Sequence, residues 1–406
     1  MRILEIIASV DPRYGGAIEG LVRQALARRV FGIDTHIACL DGPNDSWVAE
    51  CPVSTFALGN GVLGNPASPL NWMWTRYGYA PKFVEWLRNR IRDYDIAVVN
   101  GLWNYASFGA RQVLPRSRVP YVVFTHGMLD PWARQEYRLK HAMKQALWFF
   151  SEGPLLTSAK AVLFTTEDEM LRARTTFRPY RVRERVVGYG TADIVGDAES
   201  QIAAFRRLLP SLGNRSFLLF LGRIHPKKGC DLLVDAFSKI APEHPRLDLV
   251  IAGPDPAGWY SALEAQAAAS GVGHRIHWPG VLFGDVKWGA LRACEAFVLP
   301  SHQENFGVAV AEALAAAKPV LITDKVAIWR DVKAAGAGLV SADDAAGVHN
   351  LLSTFCSLSP QQKHTMGTAA RECFLQRFEI GVPVKELCRV FAEVTTTPGQ
   401  VQDVSY

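Results

Sequence analysis

Short apolar runs alternate with stretches of helical periodicity along nearly all of the 406 residues. Residues 3–8, 35–40, 53–58, 96–100, 121–125 and 161–165 predict one set of strands. A second set is predicted at 217–221, 247–252, 275–278, 296–299, 319–323 and 338–340. Several of these runs are unbroken in Val, Ile, Leu and Phe, the pattern of strands covered on both faces. Between them, Leu21, Val22, Ala25 and Leu26 recur at helical spacing, as do Leu232, Leu233, Ala236, Phe237 and Ile240. Alternating strands and helices imply an α/β fold on parallel sheets.

The chain is longer than one hydrophobic core usually supports, so two domains are expected. A polar stretch at 190–214 separates the two sets of strands, which divides the chain into 1–195 and 196–381. Hydrophobic residues make up 49% and charged residues 20%, enough apolar side chains to fill two cores. The net charge of +5 suits an anionic ligand but is too small to argue for nucleic acid. Seven cysteines without a C-x-x-C pair read as reduced thiols of a cytoplasmic chain. Glu5 interrupts the first apolar run, which therefore reads as a strand rather than a signal-peptide core. No run of about eighteen apolar residues exists to span a bilayer.

Three acidic or glycine motifs read as structural. Gly59-Asn60-Gly61-Val62-Leu63-Gly64 matches a dinucleotide fingerprint, yet Asn65, Pro66, Ser68 and Pro69 follow it and prevent the helix that motif requires. Asp93-Tyr94-Asp95 precedes a strand, at the end of the sheet opposite to ligands. Glu167-Asp168-Glu169 sits at a helix start, where acids suit the dipole. No metal site is expected.

Four features fall at the carboxyl ends of predicted strands, where open α/β sheets bind ligands. Gly15-Gly16 stands before a helix, as a phosphate-binding turn or a plain one. Thr125-His126-Gly127 ends a strand, where the imidazole is able to donate to a sugar hydroxyl or serve as a structural donor. Gly222-Arg223, with Lys228-Gly229, sets two cations at a strand end and a helix start, a pairing suited to a diphosphate. Finally, Glu304 and Glu312 bracket Asn305-Phe306-Gly307-Val308 at the mouth of an Ala-rich helix predicted from about residue 306. Eight residues of helical rise span roughly 12 Å. Glu312 lies among apolar neighbours and needs a partner, which ligand hydroxyls would supply.

Together these residues resemble the retaining glycosyltransferases of the GT-B superfamily, in the branch called glycosyltransferase family 4 (glycosyl transferases group 1). The match is Gly15-Gly16, Thr125-His126-Gly127, Gly222-Arg223 with Lys228-Gly229, and the E-x7-E motif from Glu304 to Glu312. That resemblance implies two Rossmann-like domains with parallel sheets facing across a cleft, and a helix at about 382–396 returning to the N-terminal domain. It assigns Arg223 and Lys228 to the donor diphosphate, Glu312 to ribose hydroxyls and Glu304 to hydroxyls of the transferred sugar. His126 is placed near that sugar, the Gly15-Gly16 loop near the phosphates, and the Asn305, Phe306, Gly307 and Val308 segment supplies amides. The catalytic set is then His126, Arg223, Lys228 and Glu304. The donor is a nucleotide-diphosphate sugar, with no cofactor or metal, and the acceptor a glycan or lipid-linked molecule, as in surface polysaccharide biosynthesis. A nucleotide-sugar epimerase or a non-catalytic sugar-nucleotide-binding protein would use the same scaffold.

One further pattern bears on location. Trp132, Arg134, Tyr137, Arg138, Lys140, His141, Lys144 and Trp148-Phe149-Phe150 mix aromatic and basic residues, as do Trp72-Met73-Trp74, Arg76 and Tyr77. They suit peripheral contact with a membrane face, or core aromatics with solvated cations outside.

Overall fold

The computed structural model describes residues 1–14, 16–59, 77–131 and 138–396. Residues 60–64 of the glycine motif, Gly15, the Trp72–Arg76 patch, and Trp132, Arg134 and Tyr137 lie outside them. The chain forms two units, 1–189 with the C-terminal segment from Ile380, and 190–379.

The first unit carries β1 (Arg2–Ile6), β2 (Asp34–Cys39), β3 (Ser54–Ala57), β4 (Ile96–Asn100), β5 (Tyr121–Phe124), β6 (Ala161–Phe164) and β7 (Glu184–Val186). They form one sheet in the order β3-β2-β1-β4-β5-β6-β7, with every neighbouring pair parallel. Central strands are largely apolar, Glu5 and Asn100 apart, because both faces are covered: Leu4, Val99 and Val123 join one core with Phe83, Leu87 and Trp148, while Ile7 and Ile37 join another with Ile18, Leu21 and Ala25. Strand β7 escaped the sequence pattern because it is a short edge strand of polar and exposed residues. The helix Gly381–Thr395 belongs to this unit, with Arg28 over the Phe391 ring at 5.6 Å and Pro383 against Gly188.

The second unit carries β8 (Ser216–Leu221), β9 (Leu247–Ala252), β10 (Ile276–His277), β11 (Ala296–Leu299), β12 (Val320–Thr323) and β13 (Gly338–Ser341), ordered β10-β9-β8-β11-β12-β13 and again parallel throughout. These two sheets give the Rossmann-like, parallel-sheet halves of the GT-B architecture. The segment 190–195, read above as the end of the first domain, is held in this unit. Thr191 donates its amide to Phe378 O at 2.9 Å, and Arg371 forms a forked pair with Asp193 at 2.6 and 2.7 Å. The stretch 198–208, read as part of a joining segment, is the helix Ala198–Leu208. It buries Gln201 and Phe205 against the helix Gly284–Ala293. Gly289 makes that approach possible, since a Cβ there would lie 1.9 Å from Gln201 O.

In each sheet the strand order reverses once, between β1 and β4 and between β8 and β11. The carboxyl ends of those strands are where such sheets bind ligands; the loops after β1, β8 and β11 carry three of the features singled out above, and Thr125-His126-Gly127 follows β5, the neighbour of β4. Among the described residues no helix is long and apolar enough to cross a membrane. The seven cysteines are free thiols.

Candidate active site

In the second unit, two loops at the β8/β11 reversal are stitched together by their backbones. After β8, the Gly222 amide donates to Ala252 O and the Ile224 amide to Pro254 O. Gly253 sits at φ +148, and a Cβ there would lie 1.8 Å from Gly222 O, so the close pass requires glycine. This leaves Arg223 exposed at the strand tip, with no ion-pair partner among the described residues. A short 3₁₀ turn, Pro226–Lys228, follows under His225, whose side chain accepts the Lys227 amide. Gly229 then opens the helix Cys230–Ile240 at φ +65, with a Cβ position only 2.2 Å from Pro300 O. The loop after β11 answers it: His302 donates its amide to Lys227 O at 2.8 Å, and Lys227 Nζ donates to Gln303 Oε1 at 3.1 Å.

Lys228 forms an ion pair with Glu304. Glu304 is itself pinned by its backbone, donating to Lys325 O and accepting from the Ala327 amide, both at 3.1 Å. Arg223, Lys227 and Lys228 crowd His225, whose imidazolium is held below its ordinary range by burial first and by those three cations after it. Arg223 and Lys228 were read as a pair of cations suited to a diphosphate; in this structure Lys228 takes Glu304 as its partner. The helix also begins at Val308 rather than Phe306, with Gly307 at φ +79 as its cap. Glu304 therefore stands in the loop, and a uniform helical rise does not describe its separation from Glu312.

Glu312 is 5% exposed inside that helix, and Lys287 Nζ lies 2.8 Å from its Oε1. In this structure it pairs with a lysine from the helix Gly284–Ala293, a partner that the sequence reading, which assigned Glu312 to ligand hydroxyls, did not include. Lys287 also rests over the Trp288 ring at 4.4 Å. Nothing in the spacing around Lys287 pointed to it, since a lone lysine on a helix reads as a solvated charge. Phe306 is buried against Phe378 and anchors the loop, so the first amides of the helix, at Gly307 and Val308, open at its N-terminus without intrahelical carbonyls to bond. Arg223, two carboxylate-paired lysines and a helix N-terminus can together hold a phosphorylated, hydroxyl-rich ligand.

In the first unit, the loop after β1 is braced by buried Asp41, which accepts from Ser9 Oγ, the Val10 amide and Trp47 Nε1. It leads into the helix Gly16–Arg28, opened by the second glycine of the pair. His126 follows β5 with its backbone in the left-handed region, φ 48, and Gly127 at φ 74. Glu169 clamps this turn: one oxygen accepts Thr125 Oγ1 and the Gly127 amide, and the other accepts the Thr165 amide and hydroxyl, all at 2.7–2.8 Å. Glu169 was read only as a helix-start acid; Thr166 is the cap of that helix. The His126 ring stacks on Phe124, and Nε2 meets Asn100 Oδ1 at 2.9 Å. Burial pushes the imidazolium down to about 4, so the ring is neutral near pH 7.

The acidic pair Asp93 and Asp95 is occupied structurally, Asp93 by Arg90 and Asp95 by the Arg2 amide. Among the described residues no group of three His, Cys, Asp or Glu side chains is arranged to hold a metal. The aromatic-basic stretch divides. Trp148 is buried and donates to Pro179 O, His141 stacks on Phe177, and Lys144 lies over the Trp103 ring. Leu139, Met143, Leu147 and Phe150 instead face outward, four residues apart and then three. Phe149 borders a hollow of about 720 Å³ lined by Arg174, Arg178, Arg181 and Glu184, the last paired with Arg174.

Two family models match, one over each half. Residues 15–190 match the glycosyl transferase 4-like domain, and residues 202–372 match glycosyl transferases group 1. The chain is 29% identical over 199 residues to phosphatidyl-myo-inositol mannosyltransferase of Mycobacterium leprae, covering 48% of this chain and 51% of that protein. It is 26% identical to alpha-maltose-1-phosphate synthase of Mycolicibacterium smegmatis, over 97% of this chain and 100% of the relative. In several other curated relatives the match spans a third to a half of their length, 32%, 43% and 50%. A solved structure of HepE from Anabaena in complex with UDP is similar in fold, with a TM-score of 0.76 and 18% identity over 97% of this chain and 100% of that one.

Proposed function

Because the chain belongs to the glycosyl transferases group 1 family, we propose that it is a retaining, metal-independent glycosyltransferase. It moves a sugar from a nucleotide-diphosphate donor to a glycan or lipid-linked acceptor in surface polysaccharide biosynthesis. One observation carries this reading: Arg223 and Lys228 follow β8, Lys228 pairs with Glu304 in the loop after β11, and Lys287 pairs with Glu312 in the helix that this loop opens. The UDP bound by the Anabaena neighbour makes UDP the first base to try.

In this mechanism Arg223, Lys228 and the amides of Gly307 and Val308 hold the donor diphosphate. They stabilise the charge that grows on it as the glycosidic bond breaks. Lys228 exchanges Glu304 for phosphate, which frees that carboxylate to bind hydroxyls of the transferred sugar. Glu312 exchanges Lys287 for ribose hydroxyls. No protein nucleophile is needed. The acceptor hydroxyl attacks on the face the diphosphate leaves, and its proton passes to the departing phosphate oxygen, so anomeric configuration is retained.

The test is thermal stabilisation by UDP, GDP and ADP in the presence of chelator, on wild type and Glu312→Ala. One nucleotide should stabilise the wild type, and the variant should lose that gain. Transfer from the corresponding sugar nucleotide, with the product's anomeric configuration read by NMR, completes the assignment. Donor turnover without acceptor would favour the epimerase reading, and tight binding without turnover the binding-protein reading. A product of inverted configuration would reject retention.

The outward stripe of Leu139, Met143, Leu147 and Phe150, beside the arginine-lined hollow, supports peripheral contact with an anionic membrane face. Co-sedimentation with anionic vesicles at low salt should be strong for wild type and lost in Leu139→Glu/Phe150→Glu. Failure of the wild type to bind would remove the membrane from this reading.

A further inference from the structure

A buried polar chain runs behind His126 at the β1/β4 reversal of the first sheet. Asn100, the last residue of β4, donates Nδ2 to Glu5 Oε2 at 2.6 Å. Glu5, in the middle of β1, accepts Arg28 Nη2 on its other oxygen, also at 2.6 Å. Arg28 ends the helix Gly16–Arg28 and turns Nε back onto Gln24 O at 3.2 Å. All three side chains are at most 5% exposed. Charge of this kind is costly to bury, and the pair persists only because hydrogen bonds fill its remaining positions. Arg28 Nη1 is the one nitrogen of the guanidinium buried without a partner.

The directions of these bonds follow one another. Glu5, paired with a guanidinium, offers Asn100 only acceptors, so the amide must turn its NH₂ toward Glu5 and its oxygen toward His126. That oxygen can only accept, so the nitrogen facing it, Nε2, carries the proton. A neutral imidazole has one N–H. Its Nδ1 is then a lone pair, and it has no partner among the described residues. Phe124, stacked beneath the imidazole with centroids 4.4 Å apart, holds the ring plane, and Glu169 clamps the turn that carries it; a 180° flip within that plane would set a ring carbon against Asn100 and lose the bond. Tyr189 packs edge-on against the same Phe124. It sits where Gly20, on the Arg28 helix, leaves room: a Cβ there would fall 1.3 Å from the tyrosine oxygen.

We infer that Asn100, Glu5 and Arg28 are positioning residues that fix His126 as the Nε2–H tautomer, so that Nδ1 is presented as an acceptor for a ligand hydroxyl. This reverses the sense of the bond expected from the sequence, in which the histidine donates. The identity of the hydroxyl bearer rests on the glycosyltransferase reading; the tautomer does not. The same chain ties the imidazole to the far end of the helix that Gly16 opens.

Long-range proton–nitrogen NMR of the ¹⁵N-labelled full chain reads the tautomer directly, with His126→Gln assigning the signals. Nδ1 resonating as an unprotonated nitrogen and Nε2 as a protonated one supports the inference. The opposite pattern in wild type overturns it, whatever the variants do. In Asn100→Leu the preference should vanish and turnover fall about 100-fold, the loss typical of a misplaced reacting partner, with nucleotide binding unchanged. Full turnover with the tautomer lost would also overturn it. Glu5→Gln/Asn100→Asp keeps the net charge and restores an acceptor facing Nε2, so it should recover both the signal pattern and most of the turnover. A wild type that turns over no sugar nucleotide would remove the glycosyltransferase reading, while the spectrum would still decide the tautomer.

Discussion

The two sheets place opposite kinds of chemistry at the same topological position. At the β8/β11 reversal stand charges: an exposed arginine and two lysines, each held by a carboxylate. Beside the β1/β4 reversal, on the turn after β5, stands a neutral imidazole bonded to Asn100, and the charges, Glu5 and Arg28, are buried behind it. Charges at a rim can exchange partners when a ligand arrives, because solvent screens the intermediate state. Charges in a core cannot, and there they set direction. The second unit thus presents charges free to change partners, and the first an orientation held fixed.

The largest effect should come from breaking the rim. In the proposed mechanism Lys228 and Arg223 meet charge that grows in the transition state, so Lys228→Ala and Arg223→Ala should each lower kcat about 10²- to 10³-fold, as loss of an oxyanion donor does. Donor affinity should change much less. Steady-state kinetics with a saturating sugar nucleotide measures the split. A loss confined to KM would mean that these cations bind ground state and transition state alike, and the contrast between the units would lose its basis.

Much of the fold was legible because doubly covered parallel strands are written as unbroken apolar runs. Residues 96–100, 247–252 and 296–299 coincide with β4, β9 and β11. Strand β7 was not, because Glu184, Arg185 and Val186 lie at an edge and bury no apolar face. The helix Ala198–Leu208 was hidden in a polar stretch for a related reason, since it buries only Gln201 and Phe205. Around the site, glycines and charges at strand ends were visible in sequence. Their partners were not: Lys287 reaches Glu312 from a separate helix, and Glu5, Arg28 and Asn100 meet across 23 and 95 residues. A pattern along the chain records periodicity, whereas an ion pair between distant elements leaves no local trace.

The buried side of the comparison predicts a pH signature. His126 is pushed from 6.5 down to about 4, so between those values the unfolded ring takes a proton that the folded ring refuses. Stability from this group is lost as pH falls through that window. Glu152 behaves in the opposite sense. Burial raises it from 4.5 to about 7, against hydrogen bonds from Ser107 and the Trp103 amide. Its folded form keeps a proton the unfolded chain gives up, so its stability is lost as pH rises from 4.5 to about 7. Each shift corresponds to about 3 kcal/mol. The two slopes oppose each other between pH 4.5 and 6.5. Glu152→Gln should unmask a Tm that falls on acidification across this range, and His126→Gln one that falls on alkalinisation. Several degrees are expected, at 2–4 °C per kcal/mol for a unit of this size. Calorimetry at four pH values reads both, and parallel curves for the two variants would show that neither group is buried as described.

The smallest effect tests whether rim pairs exchange at all. Glu312 is nearly buried and Lys287 about a fifth exposed, so their pair is partly screened. If ribose hydroxyls replace the lysine, binding must first break that contact, and the affinity measured in wild type carries its cost. Lys287→Met keeps the length of the side chain and removes the competitor. The free protein should become less stable, since a buried carboxylate then lacks its cation, while the gain in Tm on adding UDP should grow. In isothermal titration the nucleotide should bind a few-fold more tightly, about 1 kcal/mol or less for a partly exposed pair, and the difference should shrink at high salt. Weaker binding would mean that Lys287 stays beside Glu312 and contacts the ligand itself, and the second unit would then share the first unit's logic of fixed charge.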